Sequence, residues 1–303
     1  MTVGIETTKE LITTNESESN RIVFEAITDD DDVVGRIKTI IEGLEKVLNE
    51  VTFVIDADKM YLRTLDSGKA ALIEVLLPSS VFREYTFNSE KDLVVSLGTK
   101  DLVSLTKNKF KGIEFKVLES DVSDFTLQKY GQDDTEILVA NKFRTTVVRS
   151  FRSTISLIGL EVPENPLAKS PKLKFGATVR VDAKALKEVF KEVAKVDSYV
   201  IMSVENHKKL GKILVFDGEG DVGEVHIEIE HEDCDVMSDI SFETPQKCRY
   251  ALNYFTAFTH LWETKKNPDM VLIEFSTNKP VKFSVEYDGI MLEAILAPNV
   301  ERR

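Results

Sequence analysis

One succession of elements (helix, β-rich block, helix, β-rich block) occurs twice in this chain. The copies lie on either side of a Pro-spotted stretch, Ser153 to Lys174 (STISLIGLEVPENPLAKSPKLK). Each half must bury a sheet against its own helices, and the halves must then be strapped together. Similarity between the halves is weak at the level of single residues, so the repeat lies in the order of elements. The apolar residues of the strap, Ile155, Leu157, Ile158, Leu160 and Val162, fit neither a solvated linker nor a helix. We read the strap as an interdomain connecting loop and as a place where partners bind. The expected organisation is a disordered tail over 1–20, a first domain over 21–152, the connecting loop over 153–174 and a second domain over 175–303. The expected class is α+β: two similar domains, each with antiparallel β-sheets and two α-helices on one face.

Local signals place the elements. Thr28 and the acids Asp29 to Asp32 mark a helix start, because a short polar side chain caps the first turn and acids suit its positive dipole end. Val33, Val34, Ile37, Ile40, Ile41, Leu44, Val47 and Leu48 then recur at helical spacing. From Val51 the period becomes that of strands, with turns at Asp56–Asp58 and at Asp66-Ser67-Gly68. A second helix is expected over Thr99–Lys109, a third over Ala183–Val196 behind an Asp182 cap, and a fourth from about Arg249 to Thr264. Strands are expected at Leu93–Leu97, Gly112–Glu119, Phe125–Tyr130, Glu136–Ala140 and Phe143–Phe151 in the first half. The second half should supply Phe175–Val181, Tyr199–Glu205, Lys212–Phe216, Glu224–Glu230, Val271–Ser276, Val281–Tyr287 and Met291–Leu296.

Several function classes recede. No apolar run approaches the roughly 18–20 residues of a membrane span, and the polar, acidic start does not read as a secretory signal. Two cysteines, Cys234 and Cys248, point to a reducing intracellular compartment. Gly218-Glu219-Gly220-Asp221-Val222-Gly223 matches G-x-G-x-x-G, but the alternating Glu224–Glu230 that follows is a strand, so the glycines belong to a hairpin. His226, His231 and Cys234 fit no usual zinc spacing, and a surface loop is the better reading. No catalytic or nucleotide motif is present, so neither an enzyme nor a cofactor is expected.

The net charge of −13 opposes simple coating of nucleic acid, yet the basic residues are unevenly placed. Lys184, Lys187, Lys191 and Lys195 share one side of the third helix, opposite Leu186, Val189, Phe190 and Val193. Lys107, Lys109 and Lys111 follow the second helix, and Arg36, Lys38 and Lys46 lie on the first. Helices packed on one face of similar sheets would gather these charges on a common side, which suits a phosphate backbone met without base reading. A second contrast sets Lys142, Arg144, Arg149 and Arg152 around the strand before the connector against Glu224, Glu228, Glu230 and Glu232 in the other half. Oppositely charged strands of this kind can pair edge to edge between subunits.

Five ordered segments carry a family resemblance. Leu65-Asp66-Ser67-Gly68-Lys69-Ala70-Ala71-Leu72-Ile73 resembles "MDSSHVALV", and Gly220-Asp221-Val222-Gly223 resembles "GDIG". Leu252-Asn253-Tyr254-Phe255-Thr256 resembles "LNFFT", and Leu296-Ala297-Pro298-Asn299-Val300-Glu301 resembles "LAPKIE". Ile158-Gly159-Leu160-Glu161-Val162-Pro163-Glu164 is similar to the connector's "LGIPE" with two extra residues. These are segments of the DNA sliding clamps of the proliferating cell nuclear antigen (PCNA) family, in its eukaryotic and archaeal branch. The resemblance runs from about Arg21 to the C-terminus.

The resemblance implies a ring of three identical or sister subunits closed around duplex DNA without sequence preference. Such a ring tethers DNA polymerase and other DNA-processing enzymes, and needs no cofactor. It implies that Lys38, Lys107, Lys187, Lys191 and Lys195 face DNA, whereas two lysine positions of the family are here Glu45 and Ala257. It implies antiparallel pairing between subunits through Phe143–Arg149 and Glu224–Glu230, which would involve Lys142, Arg144, Arg149, Glu224, Glu228 and Glu230. Polymerase, clamp loader, flap nuclease and ligase would insert short apolar and aromatic motifs into a pocket of Leu65, Ala70, Leu72, Ile158, Leu160, Pro280, Ile295, Ala297 and Pro298. Ile295 stands where a tyrosine is common. The implied location is intracellular: nuclear in a eukaryote, at the nucleoid in an archaeon. The alternatives are a checkpoint-type clamp or, from another class, a small metal-dependent enzyme using His226, His231 and Cys234.

Overall fold

A computed structural model describes residues 21–126, 136–160, 173–230, 235–263, 270–287 and 289–299. In chain order the first strands are β1 (Ile22–Thr28), β2 (Glu50–Ile55), β3 (Lys59–Leu65), β4 (Ala71–Pro78), β5 (Glu84–Phe87), β6 (Leu93–Gly98), β7 (Gly112–Leu118), β8 (Val122–Thr126), β9 (Glu136–Ala140), β10 (Lys142–Val148) and β11 (Arg152–Ile158). Then come β12 (Ala177–Asp182), β13 (Tyr199–His207), β14 (Gly211–Gly220), β15 (Gly223–Glu230), β16 (Met237–Phe242), β17 (Gln246–Ala251), β18 (Met270–Phe275), β19 (Val281–Tyr287) and β20 (Ile290–Leu296). The helices are α1 (Asp31–Val47), α2 (Thr99–Thr106), α3 (Ala183–Val193) and α4 (Leu252–Trp262). Among the described residues no helix is long and apolar enough to cross a membrane.

These elements form two compact units. The first draws on Met1–Val34, Thr52–Met60 and Pro78–Leu167, the second on Gly35–Val51, Tyr61–Leu77 and Ala168–Arg303. Most of α1, most of β3 and nearly all of β4 thus belong with the second unit, although they lie early in the chain.

In the first unit one sheet has the order β11-β10-β7-β1-β5, with every neighbour antiparallel. Its core stacks Phe143 on Phe53 and Phe115, with ring centroids 6.0 and 5.4 Å apart. A second run of strands is β2-β6-β9-β8. Here β6 and β9 are parallel, Leu93 lying opposite Leu138, a departure from the antiparallel expectation. The chain between them passes through α2, β7 and β8, a crossover long enough to return β9 in the same direction.

In the second unit β15-β14-β13-β17 form one sheet, and β16-β12-β18-β19-β20-β4-β3 run in that order. Asp182 caps α3 as the sequence predicts, its Oδ1 accepting from the Ala185 N–H at 2.7 Å. Phe190 of α3 meets Phe255 of α4 at 5.0 Å, and Phe255 meets Phe283 of β19 at 4.9 Å, edge to face. On α1, Gly43 allows a close seat against α4, since a Cβ there would lie 2.8 Å from the His260 carbonyl oxygen. The Arg36 guanidinium of the same helix rests 4.6 Å from the centre of the Tyr287 ring.

Three differences from expectation have local causes. The fourth helix starts at Leu252, because Gln246–Ala251 pairs with β13 and buries Cys248 and Tyr250 on alternate positions. Strands β1, β5 and β16 were not anticipated; β1 alternates buried and half-buried residues between β5 and β7. The stretch read as a loop from Ser153 begins as a strand, since β11 pairs with β10 from Val148↔Arg152 to Lys142↔Ile158. Its alternating Ser153, Ile155 and Leu157 fit a half-buried pleat. The rest of that connector, residues 161–172, lies outside the described residues.

Candidate DNA-facing helices, partner surface and subunit edges

In the second unit, α3 carries Lys187, Lys191 and Lys195 on its outward side or just beyond its end, while Leu186, Val189, Phe190 and Val193 are buried. Each of these lysines has a carboxylate partner. Lys191 Nζ lies 2.6 Å from Glu188 Oε1, Lys195 Nζ lies 2.6 Å from Glu192 Oε1, and Lys187 pairs with Glu263 at the end of α4. On α1, Lys38 lies 3.7 Å from Glu42 one turn on. In the first unit Lys107 follows the last residue of α2 and is exposed, as are Lys109 and Lys111. Lys265 and Lys266 lie outside the described residues.

The second unit gathers most of the expected partner-binding residues on one ladder. Leu72 of β4 lies opposite Ile295 of β20, both half-buried, and the Ala297 N–H donates to the Ala70 carbonyl at 2.8 Å. Pro298 continues the same chain end, Pro280 precedes β19, and Leu65 is exposed at the end of β3. Asp66 shapes the turn between β3 and β4. Its Oδ1 accepts from the Ala70 and Ala71 N–H groups at 2.7 Å each, and its Oδ2 accepts from the Gly68 N–H at 3.1 Å and the Tyr254 hydroxyl at 2.6 Å. Burial alone pushes the Asp66 carboxyl up, but these four donors outweigh it and hold it below the ordinary carboxylate value. The same bond pushes the Tyr254 hydroxyl up to about 12. Sequence reasoning missed this link, since Tyr254 and Asp66 are 188 residues apart.

In the first unit Ile158 is 77% exposed at the end of β11, and Leu160 is partly exposed. The Gly159 and Leu160 N–H groups donate at 2.7 Å to the Asn141 and Ser96 carbonyls, so the chain is fixed as it leaves the sheet. A Cβ on Gly159 would sit 2.5 Å from the Ala140 carbonyl oxygen, which requires glycine there.

The expected subunit edge needs correction. Strand β10, which holds Lys142 and Arg144, is paired on both sides, by β7 and by β11, and so has no free edge. Its basic groups serve the unit itself. Arg144 forks onto the buried Asp121 at 2.7 and 2.8 Å, and Arg149 Nη2 donates to the Leu105 carbonyl at 2.9 Å. Among the described residues the edge on that side of the sheet is β11, and Arg152 at its start pairs with Glu114. The signal was available in the alternation from Ser153 to Leu157. On the other unit β15 is an edge as expected, with Glu224 and Glu228 exposed and Glu230 half-buried. Phe151 before β11 and Val222 before β15 are 64% and 77% exposed.

The glycines before β15 form a hairpin: Gly220 lies opposite Gly223 across the Asp221-Val222 turn. His226 sits between Asp217 and Glu228, its Nδ1 2.6 Å from Asp217 Oδ1 and its Nε2 3.2 Å from Glu228 Oε1. Those two hydrogen bonds, Asp217 first, raise its pKa. Among the described residues no group of three or more His, Cys, Asp or Glu side chains is placed to hold a metal ion; His231 and Cys234 lie outside them.

Family profiles decide the kinship. "Proliferating cell nuclear antigen, N-terminal domain" matches residues 23–151, and the corresponding C-terminal domain matches 169–300. The chain belongs to the proliferating cell nuclear antigen family. It is a DNA sliding clamp of the archaeal and eukaryotic branch, and clamps of this family are scaffolds without catalysis. Among its relatives, "DNA polymerase sliding clamp 1" of Pyrobaculum aerophilum is 25% identical over 264 residues, covering 86% of this chain and 94% of that protein. The "DNA polymerase sliding clamp" of Pyrococcus furiosus is 27% identical over 267 residues, with 86% and 94% covered. Two crystal structures share the fold. PCNA of Thermococcus kodakaraensis superposes with a TM-score of 0.72 at 18% identity, covering 91% of this chain and 100% of that one. The Entamoeba histolytica protein gives 0.73 at 13% identity, with 92% and 100% covered.

Proposed function

We propose that three copies of this chain, or this chain and sister subunits, close head to tail into a ring around duplex DNA through β11 of one copy and β15 of the next. The processivity factor so formed tethers DNA polymerase. One observation carries the reading: among the described residues β11 and β15 each lie at the edge of a sheet, and each alternates an exposed row with a more buried, apolar one. β11 has no charge beyond Arg152 at its start, and β15 alternates Glu224, His226 and Glu228 with Val225, Ile227 and Ile229. An edge as poor in charge and proline as β11 invites pairing and is rarely left open. Two different patches on one molecule give a heterologous contact, which makes a ring when the rotation closes. The two-domain reading of 21–152 and 175–303 is supported by profile matches on 23–151 and 169–300.

Light scattering should give about three times the 34.2 kDa chain mass, alone or after mixing with sister subunits. Polymerase stimulation should persist on closed-circular primed templates and fall on linear ones, because a ring held by topology slips off free ends. A single-chain mass under all mixtures sinks the ring. A checkpoint-type clamp would form the ring but leave the polymerase unstimulated.

DNA contact is assigned to Lys38, Lys107, Lys187, Lys191 and Lys195. Partner motifs are assigned to Leu65, Ala70, Leu72, Pro280, Ile295, Ala297 and Pro298 of the second unit, and to Ile158 and Leu160 of the first. Clamp loader, flap nuclease and ligase are the partners expected beside polymerase, and the site of action is intracellular, wherever the DNA lies. Because apolar anchors dominate such contacts, replacing Ile158 and Leu160 by Ser should weaken a polymerase-derived motif peptide by roughly tenfold or more. The trimer mass should not change, and its loss would show these residues to be structural.

A further inference from the structure

Four lysines of α1 and of α3 and its end differ in one respect from those after α2. Lys191, Lys195 and Lys187 each face a carboxylate, from Glu188, Glu192 and Glu263 respectively, and Lys38 faces Glu42. The Lys191 ammonium, hydrogen-bonded to Glu188, holds that carboxyl below its ordinary value, and Lys187 does the same for Glu263. Lys107, Lys109 and Lys111, like Lys184 in the first turn of α3, are exposed and face no carboxylate among the described residues. Exposed pairs of the first kind are weak and open readily, so they do not lock the lysines. They do cancel charge: a phosphate that approaches Lys191 or Lys195 also meets the negative charge of its partner within one helical turn.

We propose that Glu188, Glu192 and Glu263 are built-in counter-charges that set how weakly the α3–α4 face holds a phosphate backbone, leaving Lys107, Lys109 and Lys111 as the stronger contacts. This rests on the sliding-clamp reading. A closed ring is retained by its topology, so tight phosphate contacts add nothing to retention and slow its movement. Counterion release makes the difference measurable, because each engaged lysine steepens the dependence of affinity on salt by about one log unit per log unit.

The test uses the full-length chain and a short blunt duplex, with affinity measured across a salt series. Glu188→Gln/Glu192→Gln/Glu263→Gln should bind roughly tenfold more tightly at low salt with a steeper slope, a gain that misfolding cannot produce. Glu90→Gln/Glu205→Gln/Glu243→Gln makes the same change in formal charge at exposed positions off the helices, and should stay within about twofold of the parent. Removing both members of two pairs, with Lys191→Gln/Lys195→Gln/Glu188→Gln/Glu192→Gln, should cost a few-fold in affinity, less than the loss of the three lysines after α2, because each lysine leaves together with its counter-charge. Lys107→Gln/Lys109→Gln/Lys111→Gln should lose roughly tenfold or more and flatten the slope. The proposal is overturned if the first variant binds no more tightly than the charge-matched control, or if deleting the pairs costs as much as losing the three lysines. If the parent neither associates with duplex nor stimulates a polymerase on a circular template, the clamp reading falls and takes this inference with it. Stimulation with a silent first variant removes the inference alone.

Discussion

Thr154→Glu together with Ser156→Glu on β11 is expected to turn the proposed three-chain assembly into single chains and to abolish polymerase stimulation. Both positions are exposed, on the face of β11 opposite Leu157 and the half-buried Ile155. On β15 the exposed set is Glu224, His226 and Glu228, and the more buried set is Val225, Ile227 and Ile229. Period-two alternation then decides which residues meet when the edges pair: apolar rows continue one covered face, and Thr154 and Ser156 fall on the glutamate side. New carboxylates there oppose existing ones at about 1 kcal/mol per pair, so two pairs weaken each interface by more than roughly tenfold. Thr154→Glu gives up the 2.8 Å hydroxyl contact between Thr154 and Thr146 of β10, but the main-chain bonds of the β10–β11 ladder remain, so the single chains should keep their circular dichroism spectrum. Adding Glu224→Lys and Glu228→Lys should restore the trimer, because the charges across the edge become opposite again. Light scattering of the two variants decides the matter. A trimer that survives the first variant would place the interface elsewhere, and a rescue that fails would deny β15 its role.

Much of this fold was legible because it is local. The turns at Asp56–Asp58 and Asp66-Ser67-Gly68 were read correctly, since an aspartate that closes a turn does so with neighbours a few residues away: Asp56 Oδ1 accepts from the Asp58 and Lys59 N–H groups at 2.8 and 3.0 Å. The amphipathic run of α3 likewise declares its own buried side. What the sequence hid depends on distant partners. β11 looked like a loop because Gly159 and the prolines follow it, and only its ladder with β10 makes it a strand. The basic residues near β10 looked like a subunit edge, yet Asp121, 23 residues from Arg144, had already claimed the guanidinium. The fourth helix was begun early because Arg249–Leu252 suits either period, and the cross-strand partners on β13 decide for a strand. The charge on the helix faces was read as lysines alone, because ion pairing depends on which carboxylates the fold brings near.

Replacing Asp66 by Asn or Ala should be strongly destabilising for a single change in the proposed partner-binding region. The side chain is 6% exposed and its two oxygens satisfy four donors: three backbone N–H groups of its own turn and the hydroxyl of Tyr254 on α4. Alanine leaves those donors without their acceptor; the Ala71 N–H is buried and the Ala70 and Tyr254 donors half-buried, whereas the exposed Gly68 N–H turns to water, so at about 1–3 kcal/mol per buried unsatisfied group a loss of about 2–3 kcal/mol is expected. Asparagine keeps one oxygen for Ala70 and Ala71 but turns an NH₂ towards Gly68 and Tyr254, and should fall between alanine and the parent. Tyr254→Phe removes one donor and should cost about 1–2 kcal/mol. The pH dependence has a definite sign. The folded-state pKa of Asp66 is depressed, so its stabilisation is complete above the unfolded value of about 4 and is lost as pH falls through the folded value. Urea unfolding midpoints should therefore drop on acidification below about pH 4 more steeply for the parent than for Asp66→Asn, which has no proton to gain. Parallel curves would mean that the carboxylate carries no net charge stabilisation. The turn also carries Leu65 and Ala70, so weaker binding of partner peptides should accompany the lost stability.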